Sequence, residues 1–454
     1  MSYKFKISPQ KVEKINTKYR KIDGKIPCEG TEKILKSLSF TESRSMHGQI
    51  PLVWDSAEDF TIKDSANNQW IDFTSAIFFA NVGHSNKRVT KALKETLGKP
   101  IMGCYAYSNE VRAKYFKRLL EFSGGKFEKA FLLSAGTEAT EAALKLMRMN
   151  GQKVKKRKLG IVSLENNWHG RTMGAQLMGG NESQKEWIGF KDKDIFHLSF
   201  PYPWVLKGES GESFANKSID LLLSSGIDAK KDLCGFMIET FQGWGAIFYP
   251  SGYIEVIRDF CNKNEILLTF DEMQSGFART GKAFGYENYN VNADLICVGK
   301  GMGGGFPLSG VLGSSFVMDL PETGNMSSTH SANPLACAAG LAVIEEIEEK
   351  NLINESLRKG ELLINELNLI KDEFSEHVSY VMGKGLIAAI HFHEDGEPNG
   401  NLASIVCEKC LQKGLLVVHT GRESIKIGPP LTISDEALVE GVNVIKESLI
   451  QAIQ

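Results

Sequence analysis

The stretch Asp294-Leu-Ile-Cys-Val-Gly-Lys300-Gly-Met-Gly-Gly-Gly-Phe-Pro-Leu-Ser-Gly-Val-Leu-Gly313 decides how this chain is read. Leu295 to Val298 is an apolar run of strand length, and a lone lysine stands just past its end. Five glycines surround that lysine: Gly299, Gly301, Gly303, Gly304 and Gly305. A second apolar run, Gly310 to Gly313, follows. Glycine lets the backbone adopt positive φ and come close to a ligand. A lysine held in a desolvated pocket has a depressed pKa and becomes an amine nucleophile that condenses with carbonyl groups. A glycine loop with a solvent-facing lysine fits the same letters. What decides between them is whether the chain supplies the other parts such an amine needs.

Working outward, Ile266-Leu-Leu-Thr-Phe-Asp271-Glu272 reads as a buried strand ending in carboxylates, preceded by a helix over Ile254 to Asn264. Cys234-Gly-Phe-Met-Ile-Glu239 is a second strand ending in an acid. Further upstream, the strand Lys129-Ala-Phe-Leu-Leu runs into Ser134-Ala-Gly-Thr137-Glu-Ala, the start of a strong helix. Free N–H groups and the positive dipole end make such a helix start a phosphate cradle, although an ordinary capping box fits it too. Trp168-His169-Gly170 places an aromatic beside a histidine in a turn. Strands alternate with helices from about Phe131 to Gly313, which predicts an α/β fold with a mostly parallel sheet. Such sheets bind ligands at the carboxyl ends of their strands, and Glu239, Asp271 and Lys300 all stand at those ends. An amine, an acid, a phosphate cradle and a stacking aromatic are the needs of one cofactor, pyridoxal 5′-phosphate.

Composition narrows the rest. The 454 residues are 42% hydrophobic, which favours two domains over one core. A net charge of −2 and a pI of about 6.5 give no sign of a nucleic-acid or membrane-surface protein. Met1-Ser-Tyr-Lys-Phe-Lys lacks the apolar core of a secretory signal, and no apolar run reaches the roughly 18 residues of a membrane span. Eight scattered cysteines form no disulfide framework, and Cys407 and Cys410 lie in a helical pattern without a second pair, so a cytoplasmic protein without a metal site is expected. The lysine-rich stretch from Met1 to Lys25 and the basic run Lys153 to Lys158 read as solvated surface, and His84 as a structural histidine. Leu52-Val-Trp-Asp, Phe60 to Asp64 and Gln69 to Thr74 alternate as short strands. The boundaries drawn are an N-terminal segment (1–70) shared with the small domain, a large cofactor domain (71–334) and a smaller α+β C-terminal domain (335–454).

From about Trp54 onward the sequence resembles the class III, ω-type aminotransferases of fold type I. Ser134-Ala-Gly-Thr-Glu-Ala resembles the family's phosphate loop, which implies Gly136 and Thr137 as phosphate binders. Trp168-His169-Gly170 matches the aromatic-His-Gly segment, with Trp where Tyr or Phe is usual. Phe270-Asp271-Glu272-Met-Gln274-Ser-Gly-Phe-Ala-Arg-Thr-Gly is close to the family signature. It implies Asp271 at the cofactor's ring nitrogen and Gln274 near its phenolic oxygen. Glu239 matches the acid of a further family segment, Lys300 the cofactor-bearing lysine, and Ser328-Thr329-His the segment that reaches the neighbouring subunit's phosphate. The resemblance thus implies a homodimer with shared sites, acting on a small amine and a 2-oxo acid, with no nucleic acid or membrane partner. Two positions depart from the pattern: Trp244 replaces a glutamate, and Lys426 replaces the arginine it pairs with. A lysine offers a carboxylate only a point charge, so His419 and Arg422 join Lys426 as candidate carboxylate partners. An aminomutase or decarboxylase on the same scaffold, or a regulatory protein without turnover, remains open at this point.

Overall fold

The computed structural model describes residues 3–99, 101–155 and 157–454. Met1 and Ser2 of the N-terminal arm, and Lys156 of the basic run, lie outside them. The chain forms two compact units, one of residues 87–243 and 247–353, the other of residues 1–86, 244–246 and 354–454.

The first unit is built on seven strands: β1 (Lys129–Leu133), β2 (Gly160–Leu164), β3 (Ile195–Leu198), β4 (Leu233–Glu239), β5 (Leu267–Asp271), β6 (Leu295–Val298) and β7 (Ser309–Gly313). Their order across the sheet is β3-β2-β4-β5-β6-β7-β1. Neighbours from β3 to β6 run parallel, and β7 is antiparallel to both β6 and β1. The sheet is therefore mixed and mostly parallel. β2, β4, β6 and β7 are buried along their whole length, which is why they read as unbroken apolar runs rather than alternating ones. β4 and β5 pair in a register that sets Glu239 beside Asp271, and β5 and β6 set Asp271 beside Cys297.

Helix α1 (Gly136–Val154) seals one face of this sheet. Its Ala143, Leu146 and Met147 share a core with Ile161, Cys234, Met237, Leu295 and Cys297. Each large apolar side chain fully buried there contributes about 1.5–3 kcal/mol. Helix α2 (Tyr253–Asn264) ends against Lys158, whose buried ammonium donates to the carbonyls of Asn264 (2.9 Å) and Glu265 (3.0 Å). Burial pushes the Lys158 pKa down, and the two terminal carbonyls are its compensation. Helix α3 (Pro334–Glu349) starts with Pro at its first turn and Asn333 as cap, accepting from the Leu335 N–H at 2.9 Å. Arg88 bonds its Glu346 at 2.9 Å, and Tyr115 fills the space over its Gly340. These contacts hold α3 to this unit, so the division falls after Ile353, beyond the sequence-based boundary at 334.

In the second unit, β8 (Val378–Gly383), β9 (Ala388–Glu394), β10 (Val418–His419) and β11 (Ser424–Ile427) form an antiparallel sheet in the order β8-β9-β11-β10. A second sheet pairs Gln69–Asp72 with Thr61–Lys63 on one side and, in parallel, with Leu415–Leu416. Leu52 to Asp55 is not a strand; the strand that follows is Ser56–Glu58, paired with Thr61–Lys63. His84 is structural here, its Nε2 2.7 Å from buried Asp72 and its ring edge-on to Trp54. Ser75 to Phe78 make a left-handed turn without a glycine, with φ of 44, 49, 63 and 70°. Such a turn costs an L-residue roughly 1–2 kcal/mol per position. Cys407 and Cys410 are buried in the helix Gly400–Gln412. Burial raises both thiols, that of Cys410 to about 12, so neither is a reactive thiolate. Among the described residues no metal-ligand cluster occurs, and no helix is long and apolar enough to cross a membrane.

Candidate active site

At the carboxyl ends of β4, β5 and β6 the first unit opens into a cavity of about 210 Å³. Gly136, Thr137, Trp168, His169, Glu239, Asp271, Gln274 and Lys300 all line it. Eight residues picked from separate segments of the sequence thus meet in one place.

Asp271 is 5% exposed. Its Oδ2 is 2.9 Å from Nδ1 of His169, and its Oδ1 accepts the Met273 N–H at 3.1 Å. On the far side of the imidazole, Nε2 lies 3.3 Å from the Ser163 hydroxyl and 3.5 Å from the Asn167 amide nitrogen. Both of those groups can donate, which leaves Nδ1 to carry the hydrogen and give it to Asp271. Asp271 therefore has two donors and a fixed orientation, and its remaining acceptor capacity faces the cavity. Sequence reading places His169 in the site only by its neighbours; its bond to Asp271, across 102 positions, is what the structure adds.

Lys300 opens the short 3₁₀ turn Lys300–Gly303 after β6 and has φ of 45°, in the left-handed region. A non-glycine residue there is strained, and such strain collects at functional sites. Burial lowers the pKa of its ammonium, while the carboxylates of Asp271 and Glu239 pull the other way. Glu239 itself is buried; its Oε2 accepts the Trp168 N–H at 3.1 Å, and its carbonyl accepts the Tyr249 hydroxyl at 2.9 Å.

At the start of α1, Glu138 turns back to accept the N–H groups of Ser134 and Ala135, both at 2.9 Å. Those two donors are used, and Gly136 and Thr137 form the cavity wall at the positive end of a 19-residue helix. A Cβ on Gly136 would lie 2.8 Å from the Met273 sulfur. Gly170 has φ of 136°, and a Cβ there would run into the Thr137 side chain. Thr137 Oγ1 is held 2.7 Å from the Thr172 hydroxyl. The two glycines keep open a pocket that any larger side chain would distort. Trp168 stands at the rim, 39% exposed, with the Arg171 guanidinium 4.4 Å from its ring centre.

Glu272 is a functional support that the sequence signals only as part of a signature. It is fully buried and receives four hydrogen bonds, from Thr240 (2.8 Å), Ser275 (2.6 Å) and the N–H groups of Gly285 and Tyr286 (2.7 Å each). Burial raises its pKa, and these four donors oppose the shift. The bonds tie the loop carrying Gln274 and Ser275 to the end of β5. Thr329 is exposed and does not line the cavity of its own chain.

The four remaining candidates belong to the second unit. Arg422 lies with its guanidinium carbon 3.8 Å from the centre of the Trp244 ring. Lys426 is buried, its ammonium 4.7 Å from the Phe78 ring centre. His419 is half-buried, bonded through Nε2 to the Ser404 hydroxyl (2.9 Å) and packed edge-on against Phe5.

The cavity suits a small, flat, phosphate-bearing carbonyl compound: an amine with a lowered pKa, an anchored carboxylate, an indole and a helix N-terminus whose glycines leave room. Comparison with known proteins agrees. Residues 43–449 match the profile of the family described as aminotransferase class-III. The ornithine aminotransferase of Oceanobacillus iheyensis is 30% identical over 423 residues, covering 92% of this chain and 98% of that protein. The acetylornithine aminotransferase of Clostridium acetobutylicum is 30% identical over 409 residues, covering 89% and 97%. A Bacillus anthracis aminotransferase of known structure superposes with a TM-score of 0.85 at 25% identity, covering 94% of this chain and all of that one.

Proposed function

The chain belongs to the class III aminotransferases, which depend on pyridoxal 5′-phosphate, and from that premise we propose that it transfers the amino group of an ω-amino acid or related primary amine to a small 2-oxo acid, pyruvate or 2-oxoglutarate. The cycle is ping-pong, with one half-reaction for each substrate. The observation that carries the reading is the Lys300 amine, its pKa lowered by burial, in one cavity with Asp271.

When bound, the cofactor supplies the carbonyl that exchanges amino groups and a protonated ring that withdraws electrons from the substrate carbon. Lys300 is the amine that carries it. With the cofactor bound, the Lys300 amine would be the group placed to accept and return a proton at the substrate carbon. Its lowered pKa raises the fraction of free amine at neutral pH, the form that accepts that proton. Asp271, oriented by His169 and the Met273 N–H, would be the partner of the cofactor's ring nitrogen. Gln274 would serve the phenolic oxygen and Trp168 would cover the ring, with Glu239 positioning Trp168 through its backbone. Gly136 and Thr137 would hold the phosphate. The partner's Thr329 completes that site in a homodimer; the exposure of Thr329, and of Met102, Tyr105 and Tyr107, supports this assembly.

The relatives named for ornithine and acetylornithine support a donor whose reacting amine ends an aliphatic chain. Lys426, Arg422 and His419 are the candidates to meet a substrate carboxylate, His419 being also bonded to Ser404 and packed on Phe5. With Trp244 and Lys426 in place of an ion-paired glutamate and arginine, α-carboxylate recognition is weakened by roughly 1.5–3 kcal/mol. The eight free thiols suit a reducing, cytoplasmic setting. The test is to mix the cofactor-loaded enzyme with single donors and follow loss of its visible absorbance. Ornithine, β-alanine, γ-aminobutyrate or putrescine should react faster than glutamate. Glutamate outpacing all of them would refute the reading of Trp244 and Lys426.

A further inference from the structure

We propose that Thr140, one turn into the helix that would hold the phosphate, is a positioning residue for the reaction: its hydroxyl pins the His169 carbonyl and so keeps the imidazole aimed at Asp271. The inference deepens, and rests on, the aminotransferase reading above.

The turn from Trp168 to Ala175 is gripped by one face of helix α1. Thr140 and Glu141 follow Thr137 by three and four positions, so the three side chains point the same way. Each holds a different part of the turn. Thr137 Oγ1 accepts the Thr172 N–H at 3.2 Å. Glu141 Oε1 accepts the N–H groups of Gly174 and Ala175, at 2.7 and 3.1 Å. Thr140 is fully buried and donates to the His169 carbonyl at 2.7 Å. Its hydroxyl also lies 2.9 Å from the Thr137 carbonyl, the local bond open to any threonine inside a helix. A hydroxyl has one hydrogen, and the shorter distance is to His169. Thr137 and Glu141 thus hold the far end of the turn, and Thr140 holds the residue whose ring meets Asp271.

The next residue explains why a pin is needed. Gly170 has φ of 136°, and a Cβ there would lie 2.2 Å from Thr137 Oγ1. So close an approach of turn to helix requires glycine, and glycine leaves the peptide between His169 and Gly170 free to rotate. The Thr140 hydroxyl removes that freedom. On the other side, the Trp168 N–H is fixed to Glu239 Oε2 at 3.1 Å, so the His169 backbone is held from both directions. The ring follows the backbone. Nδ1 lies 2.9 Å from Asp271 Oδ2 between two buried side chains, and a hydrogen bond weakens steeply as it leaves its line. A swing of the 169–170 peptide takes one of two donors from Asp271, the residue proposed to partner the ring nitrogen.

Thr140→Val and Thr140→Ser separate this role from packing. Valine keeps the shape and loses the hydroxyl; serine keeps the hydroxyl and loses the methyl. The probe is exchange of the imidazole N–H with solvent, read by NMR on cofactor-free protein carrying isotope-labelled histidine. The His169 signal is identified by its loss in His169→Gln. Thr140→Val should exchange at least about tenfold faster than the natural protein, and Thr140→Ser within about threefold of it. In the cofactor-loaded enzyme, Thr140→Val should slow the amine and the 2-oxo acid half-reactions by a similar factor, because Asp271 serves both, and Thr140→Ser should restore most of each rate. If Thr140→Val does not fold, Thr140→Ala takes its place beside Thr140→Ser, the two differing only in the hydroxyl. Unchanged exchange in Thr140→Val, a Thr140→Ser variant as impaired as Thr140→Val, or faster exchange without slower half-reactions overturns the proposal. Absence of any amino transfer would instead sink the aminotransferase reading; the exchange measurement involves neither cofactor nor substrate and would still decide what Thr140 holds.

Discussion

Asp271→Asn removes one buried negative charge from the cavity and little else. Asparagine has nearly the same shape, and its oxygen can keep the 3.1 Å bond from the Met273 N–H. Its NH₂ would then face the Nδ1–H of His169, now 2.9 Å from Asp271 Oδ2. The imidazole relieves that clash by moving its proton to Nε2, where the Ser163 oxygen at 3.3 Å can accept it. The cost is therefore electrostatic. Two charges about 4 Å apart interact by about 4 kcal/mol at an effective dielectric of about 20. Losing most of that from the step in which the ring nitrogen must stay protonated predicts a fall in rate on the order of 100-fold or more. The proposed phosphate cradle of Gly136 and Thr137 is untouched, so the variant should still hold the cofactor. Asp271 also props up the Lys300 pKa against burial, so that pKa should fall further below the ordinary lysine value in the cofactor-free variant. Stopped-flow measurement of a single half-reaction, on protein shown spectroscopically to carry cofactor, reads the effect without product release. A cofactor-loaded variant within about threefold of the natural rate, well under 1 kcal/mol, would refute the assignment of Asp271 as nitrogen partner.

Two further substitutions probe the scaffold. Gly170→Ala forces a side chain into Thr137 at a φ of 136°; a strain of about 1–3 kcal/mol predicts roughly 10- to 100-fold weaker cofactor binding, read by titrating cofactor-free protein, and unchanged affinity would contradict it. Lys158→Met leaves the carbonyls of Asn264 and Glu265 without their buried donor, so the thermal midpoint should drop by the equivalent of about 1–3 kcal/mol while turnover per folded molecule is retained; an unchanged midpoint would show that the ammonium is dispensable.

The strands that form the site are legible because burial on both faces writes them as unbroken apolar runs, each closed by one charged residue: Glu239, Asp271 and Lys300. The edge strand Ile195–Leu198 is not, since it is only partly buried and follows the polar stretch Lys191 to Asp194. Leu415 to His419 reads as one strand, yet it divides between two sheets, because an apolar pattern records burial and not the partner. The left-handed turn at Ser75 to Phe78 contains no glycine to announce it. The remaining blind spots are pairings across long sequence separations. His169 meets Asp271, Glu272 meets the N–H groups of Gly285 and Tyr286, and Arg422 meets Trp244. Local pattern has no term for such pairs. The departures at Trp244 and Lys426 are visible in the sequence, but the aromatic ring against which each cation rests, Trp244 for Arg422 and Phe78 for Lys426, is not.

Lys300, as the amine proposed to carry the cofactor, is the residue on which the proposed function depends. Borohydride reduction of the loaded enzyme, followed by proteolysis and peptide mass spectrometry, tests this directly. The cofactor's mass should be fixed to the peptide containing Lys300, with loss of the visible absorbance and of activity. Cofactor mass on the peptide of any other lysine, or full loss of colour with no labelled peptide, would contradict it.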